Sequence, residues 1–246
     1  MARRLGFVLV LVVCAVTVVG FQLTRPQKGL SEPRPYVPSP ELYKYLPDGL
    51  RPAIADAYWL GIIQYYGEHV VSDGRLDSLP EMLELVTDLS PAFVRAYLFG
   101  APALLFDMGE GQAAFDLLQK GREANPDEWR IPALMGLFVY QFAVAEDKDL
   151  IAAGLYREAA AMPGAPPYLS RLAARLTQKG GERQTAMLLW GQVYAEGDEY
   201  SREKAVAALD ELLPAAAAER EAALRELAEH MPPEQFERLR EALGAR

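Results

Sequence analysis

Residues 91–126, PAFVRAYLFGAPALLFDMGEGQAAFDLLQKGREANP, decide the fold of this chain. Apolar residues recur there at helical spacing on both sides of a short turn at 107–111. We expect the first helix over about 91–106, with a kink at Pro102, and the second helix to end at 124–125. Two helices joined by so short a turn pack against each other, so the segment predicts a helical hairpin.

The same pattern recurs along the sequence. Pro91 and Pro126 are 35 residues apart, and Pro126 and Pro163 are 37 residues apart, which is typical of helix-turn-helix repeats. A capping box at 78–81 predicts the start of a helix in the preceding unit. The sequence therefore predicts about four stacked hairpins and no sheet. Outside the quoted segment, the predicted helices cover 55–66 before Gly67, 79–89, 131–144, 150–162, 166–179 and 182–195.

Small and bulky residues stand at corresponding positions of these hairpins. In this respect residues 53–200 resemble the tetratricopeptide repeat family, whose pattern is matched by Ala101, Ala114, Leu118, Gly121, Pro126, Gly136, Ala174, Ala186 and Trp190. Val193 stands where that pattern has a small residue. The strings YWLGIIQYYG, ANPDEWRIP and MPGAPPYLSRLAARL also resemble a group of membrane-anchored bacterial repeat proteins. The resemblance implies an all-α solenoid that binds other proteins.

The last part of the sequence, residues 201–246, changes its period but keeps a helical pattern. We expect helices over 201–213, 215–230 and 234–243, separated by prolines. Ala-rich, strongly charged helices suit the polar outer face that closes a solenoid, so this segment is predicted to be a C-terminal cap. A partner-binding tail is the alternative interpretation.

The N-terminal residues 5–23, LGFVLVLVVCAVTVVGFQL, contain no charge. As a helix they would reach roughly 28 Å, close to the hydrocarbon thickness of a bilayer. We expect the segment 1–23 to be a single-pass anchor in the inner (cytoplasmic) membrane, with the soluble domain in the periplasm or outside the cell. The alternatives are a cleaved signal peptide and lipidation of Cys14.

Residues 24–52 carry seven prolines, which favour an extended stalk between the membrane segment and the helices. Several aromatic residues interrupt the stalk, and a fully solvated linker rarely contains so many. Its aromatic and apolar side chains therefore either stay in solvent or pack back on the helical domain. The residues concerned are Tyr36, Tyr43, Tyr45 and Leu46.

Composition excludes several classes of function. The net charge of −9 argues against general nucleic-acid binding. Cys14 is the only cysteine, and the two histidines are far apart in sequence, so no metal site, cofactor or catalytic residue is predicted. Glu68, His69 and Asp73 resemble an acid–base group, but we expect them in a solvated hairpin turn.

The repeat register predicts one candidate binding surface. In such solenoids the first helices of successive repeats line the concave face. Arginine suits carboxylate recognition because its planar guanidinium donates two parallel bonds, so we expect a basic trough that captures an acidic segment or the C-terminus of a partner. The alternative is that these arginines pair with the protein's own acidic residues. The predicted partner-binding residues are Arg95, Arg130, Tyr140, Tyr168, Arg171, Arg175 and Gln178.

These observations predict a non-enzymatic, membrane-anchored adaptor of the bacterial cell envelope that binds a protein or peptide partner. The alternative function is an accessory subunit or enzyme domain with a pocket between the stalk and the first repeat. A buried polar cluster around Glu68, His69 and Asp73 would favour that alternative.

Overall fold

A computed structural model describes residues 35–43 and 45–244, which form helices joined by turns and contain no strand. The all-helical prediction is therefore confirmed for this part of the protein. A one-turn helix, α1 (Pro40–Tyr43), precedes the others. They are α2 (Arg51–Val71), α3 (Leu79–Leu89), α4 (Val94–Pro102), α5 (Gly111–Ala124), α6 (Arg130–Phe142), α7 (Lys148–Ala160), α8 (Tyr168–Lys179), α9 (Arg183–Glu196), α10 (Glu199–Leu212), α11 (Ala217–Glu229) and α12 (Pro233–Gly244).

From Val37 onward the protein forms one compact unit. From α2 to α10, consecutive helices pack on each other, and smaller contacts join α3 to α5, α4 to α6 and α8 to α10. Such nearest-neighbour packing is consistent with an α-solenoid-like fold. Among the described residues, no helix has the length and apolar character needed to cross a bilayer. The predicted span over 5–23 lies outside them.

The interior of the first helices is built on a close approach of α4 and α5. Tyr97 of α4 is fully buried, and its hydroxyl donates to the carbonyl oxygen of Pro91 at 3.0 Å. Gly121 of α5 faces the ring, and only a residue without Cβ leaves room for it. Burial, followed by the nearby charge of Asp88, raises the pKa of Tyr97 to about 12.

A second cluster of buried side chains joins the C-terminal helices to the repeats. Trp190 of α9, Leu209 of α10, Leu227 of α11 and Leu239 of α12 pack in this cluster. The helices after residue 200 thus share an apolar interior with α9, and this interior holds α10 beside α8.

The structure corrects the predicted end of the first long helix. Gly67 does not stop α2, which continues to Val71, and the glycine with positive φ (68°) is Gly74 in the following turn. Glycine inside a helix costs about 1 kcal/mol relative to alanine. Side-chain contacts accompany this continuation: the rings of Tyr65 and His69, on the two sides of Gly67, are 4.1 Å apart, and the Tyr66 hydroxyl donates to Asp107 at 2.8 Å.

Three local predictions differ from the structure in detail. Ser78 precedes α3 as expected, but its side chain makes no cap bond, and its N–H donates to the Tyr65 hydroxyl at 3.2 Å. The helix predicted from Pro91 begins at Val94, since residues 91–93 form a turn whose Pro91 carbonyl accepts from Tyr97. At Pro102 the α-helical bonding changes to a π-helical segment, Ala103–Asp107, because proline has no N–H to donate.

The end of the predicted stalk packs on the helices. The hydroxyl of Tyr43 donates to Asp88 at 2.6 Å, and Asp88 is also paired with Lys120. Val37 and Leu46 pack against the core, whereas Tyr45 remains 89% exposed. Of the two alternatives for these stalk side chains, packing back therefore holds for Tyr43 and Leu46 and not for Tyr45.

Candidate functional site

A cleft of about 630 Å³ opens between α8 and α10, with Trp190 of α9 in its wall. Aromatic, basic and small apolar side chains line it from two helices that are not consecutive in sequence. From α8 these are Tyr168, Arg171, Leu172, Arg175, Gln178 and Lys179, and from α10 they are Tyr200, Lys204, Ala207, Ala208 and Glu211.

Helical periodicity points these side chains into the cleft. On α8, Leu169, Ala173 and Leu176 are buried. Arg171 and Arg175 are four residues apart and therefore lie together on another face of the helix, toward α10. Lining side chains of α10 recur at the same helical spacing, so each helix contributes a continuous stripe.

The cleft is basic although the protein as a whole is acidic. Of its lining side chains, Arg171, Arg175, Lys179 and Lys204 are cationic, and Glu211 is acidic. The net charge of the whole sequence is −9. The half-exposed rings of Tyr168 (44%) and Tyr200 (56%) flank these charges. Such an arrangement attracts anionic groups and offers aromatic faces for contact beside them.

Arg171 is held in place by α10. Its guanidinium donates to the Ser201 hydroxyl, lies 3.6 Å from Asp198 and stands over the ring of Tyr200 at 5.0 Å. Ser201 in turn donates its hydroxyl and its N–H to Asp198, the N-cap of α10, and these bonds lower the pKa of Asp198. The Arg171 side chain is therefore a structural link between the two walls, with 22% of it exposed.

Arg175 differs from Arg171 because its side chain is exposed and is not bonded to another described residue. Within the described part of the protein it makes no hydrogen bond or ion pair, although it lines the cleft. One turn further, Gln178 accepts a bond from the indole N–H of Trp190 at 3.0 Å, which orients its amide group. The guanidinium of Arg175 thus has all its donors available for a ligand.

Each of the two lysines in the cleft contacts other side chains of the protein. Lys179 lies 3.0 Å from Asp149 and over the ring of Tyr140 at 5.1 Å, and Lys204 stands over the ring of Tyr200 at 5.0 Å. Lys179 therefore connects the cleft to the preceding pair of helices, where Tyr140 lies.

The structure brings four of the seven predicted binding residues into one cavity, namely Tyr168, Arg171, Arg175 and Gln178. Tyr140 lies beside the cleft, under Lys179. Arg95 is exposed on α4 and does not line the cleft.

Arg130 also lies outside the cleft. Its guanidinium forms a bidentate pair with Glu128, with two bonds of 2.6 Å, so it follows the alternative of internal pairing. The pairing lowers the pKa of Glu128 and raises that of Arg130. The partner-binding role of these residues stays a prediction.

Sequence reasoning misses the wall contributed by α10. It assigns Tyr200, Lys204, Ala208 and Glu211 to the end of the repeats and a closing cap, yet they face Arg171 and Arg175 across the cleft. Their spacing along EYSREKAVAALDEL puts them on one helical face, and this face combines an aromatic ring with a cation and small residues. That combination of side chains is the signal in the sequence by which this wall of the cleft could have been predicted.

The predicted turn location was wrong for Glu68 and His69 and is confirmed for Asp73. Glu68 and His69 lie within the last turns of α2, and the His69 ring nitrogen contacts the carbonyl of Tyr65 at 2.8 Å. Asp73 follows in the turn and accepts from the N–H of Arg75. Glu68 and Asp73 are exposed, so these residues form no buried polar cluster. In residues 35–43 and 45–244, no three metal-binding side chains come together.

A smaller cavity of about 210 Å³ lies where the end of the stalk meets α3. Val37, Tyr43 and Leu85 line it together with two carboxylates, Glu81 and Glu84. Pro38 and Ser39 complete the lining, which contains no cationic side chain.

No protein-family model matches this sequence, and no curated protein matches it significantly. The resemblance to the tetratricopeptide repeat family therefore rests on the quoted residues alone.

Proposed function

We propose that this protein is a non-enzymatic adaptor that binds an acidic segment of a partner protein in the cleft between α8 and α10. The observation that carries this proposal is the unpaired guanidinium of Arg175 in a basic, aromatic-walled cleft of an acidic protein. Arg175 meets a carboxylate of the partner and donates two parallel bonds to it.

The shape and chemistry of the cleft favour an extended peptide. Leu172, Ala207 and Ala208 give it a floor of small and apolar side chains, while Tyr168 and Tyr200 stand at its sides. Small residues leave room for a peptide backbone, and the exposed rings contact apolar side chains next to the partner's carboxylates. A long-range attraction from the cationic lining increases the rate of encounter with acidic segments.

At the level of the fold, we propose that the paired helices of residues 53–200 are tetratricopeptide-like repeats. Close contacts at the small positions support this: Gly121 meets the ring of Tyr97, and a Cβ at Gly136 would lie 3.3 Å from Tyr156. We also propose that residues 5–23 anchor the protein in the inner membrane and that the helices lie outside the cytoplasm. The adaptor then acts in an assembly of the cell envelope.

The test compares two charge reversals in the full-length protein. The probe is a fluorescent peptide of glutamate and leucine with a free C-terminal carboxylate. Hydrogen bonds to charged groups contribute about 1.5–3 kcal/mol, so Arg175→Glu should weaken binding by about tenfold or more. Arg95→Glu is the matched control, because it makes the same change at an exposed first-helix position outside the cleft.

Fluorescence anisotropy at increasing salt measures both effects. Binding to the wild-type protein should weaken as salt is added, since the Debye length is only about 8 Å at physiological ionic strength. An equal loss in Arg175→Glu and Arg95→Glu would mean that only the overall charge matters, and the cleft would be rejected as the site. Binding that Arg175→Glu leaves unchanged would reject it as well.

A further inference from the structure

Three phenylalanines meet where the π-helical segment after α4 and the end of α6 come together. The ring of Phe106 lies 5.6 Å from that of Phe142 and 6.0 Å from that of Phe138, in edge-to-face contacts. Phe138 is buried, but Phe106 is 59% exposed and Phe142 is 51% exposed. Val144, just beyond α6, is 97% exposed. We call Phe106, Phe142 and Val144 the aromatic edge.

The two exposed rings of the aromatic edge form one apolar surface on a buried base, and Val144 follows two residues after Phe142. At about 200 Å² per aromatic side chain, the two exposed phenylalanines alone present roughly 200 Å² to solvent. A patch of this size is within the range found on monomeric proteins, so the chemistry around it, and not its area, indicates a partner. Because both rings rest on the buried Phe138, the surface needs no rearrangement to receive a partner.

Acidic residues follow both parts of the aromatic edge along the sequence. Asp107 and Glu110 follow Phe106, and Glu146 and Asp147 follow Val144, all of them exposed. None of these four carboxylates forms an ion pair with a described residue. The backbone carbonyls at the end of α6 add partial negative charge at the same place.

We propose that the aromatic edge binds a basic amphipathic segment of a partner protein. An apolar side chain of that segment packs on Phe106 and Phe142, and its flanking lysines or arginines face Glu146 and Asp147. Charge complementarity selects the occupant. Asp107 already accepts from the Tyr66 hydroxyl, whereas Glu146 and Asp147 have no side-chain partner among the described residues and attract cationic side chains. The same carboxylates repel the anionic surface of a membrane.

This binding surface goes beyond the proposed function. It shares no residue with the cleft and prefers the opposite charge, so it stands whether or not the cleft binds an acidic segment.

The experiment uses the full-length protein in neutral-lipid nanodiscs and a fluorescent peptide of lysine, leucine and tryptophan. The double variant Phe106→Ser with Phe142→Ser should weaken binding by about tenfold or more, because it removes both exposed rings of the aromatic edge. The control variant, Leu60→Ser with Val71→Ser, removes two similarly exposed apolar residues from α2 and should bind as the wild type does.

Two further arms test the charge and do not depend on the phenylalanine variant being folded. Glu146→Gln with Asp147→Asn should weaken binding about fivefold and flatten its salt dependence. In the Arg175→Glu variant, whose cleft should not retain acidic peptides, a peptide with glutamate in place of lysine should not bind.

Any of four results would overturn the proposal. The first is unchanged peptide binding by the phenylalanine variant, and the second is unchanged peptide binding by the charge variant. The third is self-association of the wild type that the phenylalanine variant abolishes, because a second copy of the protein would then be the occupant. The fourth is binding to anionic vesicles that depends on Phe106 and Phe142.

Discussion

The contact between Gly121 and Tyr97 gives the sharpest test of the packing that builds the repeats. In Gly121→Ala, the added Cβ would lie 2.7 Å from two ring atoms of Tyr97 and 3.1 Å from a third. The ring cannot swing into solvent, because Tyr97 is fully buried and its hydroxyl is bonded to Pro91 at 3.0 Å. Helices α4 and α5 must therefore move apart.

The magnitude follows from two opposing effects. Alanine stabilises a helix interior by roughly 0.5–1 kcal/mol relative to glycine. Overpacking a core costs roughly 1–3 kcal/mol, and the clash here is close enough to place the cost in the upper part of that range. We expect Gly121→Ala to lower the free energy of unfolding by about 1–2 kcal/mol, the difference between these two effects.

Gly154 provides the matched control, because it lies inside α7 and a Cβ there would meet nothing within 4 Å. Gly154→Ala should raise the free energy of unfolding by about 0.5–1 kcal/mol. Urea unfolding of the full-length protein, followed by circular dichroism, measures both changes. If Gly121→Ala is as stable as Gly154→Ala, the close approach of α4 and α5 does not hold.

A second variant separates the clash from other effects at the same site. Tyr97→Leu removes the ring, so adding Gly121→Ala in that background should no longer be destabilising. A penalty that persists without the ring would show that the tyrosine is not its cause, and the coupling energy of the double-mutant cycle reports the difference.

Two other outcomes are expected. Bonds from Ser201 lower the pKa of Asp198 below its ordinary value of 3.8. The charged carboxylate therefore stabilises α10 fully at pH values above 3.8, and this stabilisation is lost as the pH falls through the lowered pKa. Asp198→Asn should therefore be less stable than the wild type near pH 7, and the difference in urea midpoint should vanish in strong acid; a constant difference would contradict this. The full-length protein should also stay in the membrane fraction after carbonate extraction with residues 5–23 retained, whereas a mature protein beginning at Phe21 would exclude the anchor.

The predicted binding residues show which positions a repeat register predicts correctly and which it does not. Arg171, Arg175 and Gln178 are predicted to share one face because helical spacing is a local property, and they do lie together in the cleft. The same register also selects Arg95 and Arg130, which lie elsewhere. Arg130 has a carboxylate two residues away, and this short-range pairing competes with any long-range role.

Sequence alone was enough for the helical class and for most of the helix limits. Apolar period, prolines and turn glycines act within a few residues, so they can be interpreted without knowing the neighbours of a segment. Local signals failed at Gly67, where α2 continues to Val71. The rings of Tyr65 and His69 pack together across the glycine, and the Tyr65 hydroxyl accepts from the N–H of Ser78 beyond the helix.

Only the tertiary structure decided which exposed faces meet. Arg171 and Ser201 are 30 residues apart, and nothing in either helix specifies that they touch. Their contact depends on how α9 and α10 pack around Trp190 and Leu209, which sets the distance between the cleft walls. The aromatic edge arises in the same way, from two helix ends that converge on Phe138. Side-chain direction along one helix is local, but the crossing of two helices depends on the whole set of buried residues between them.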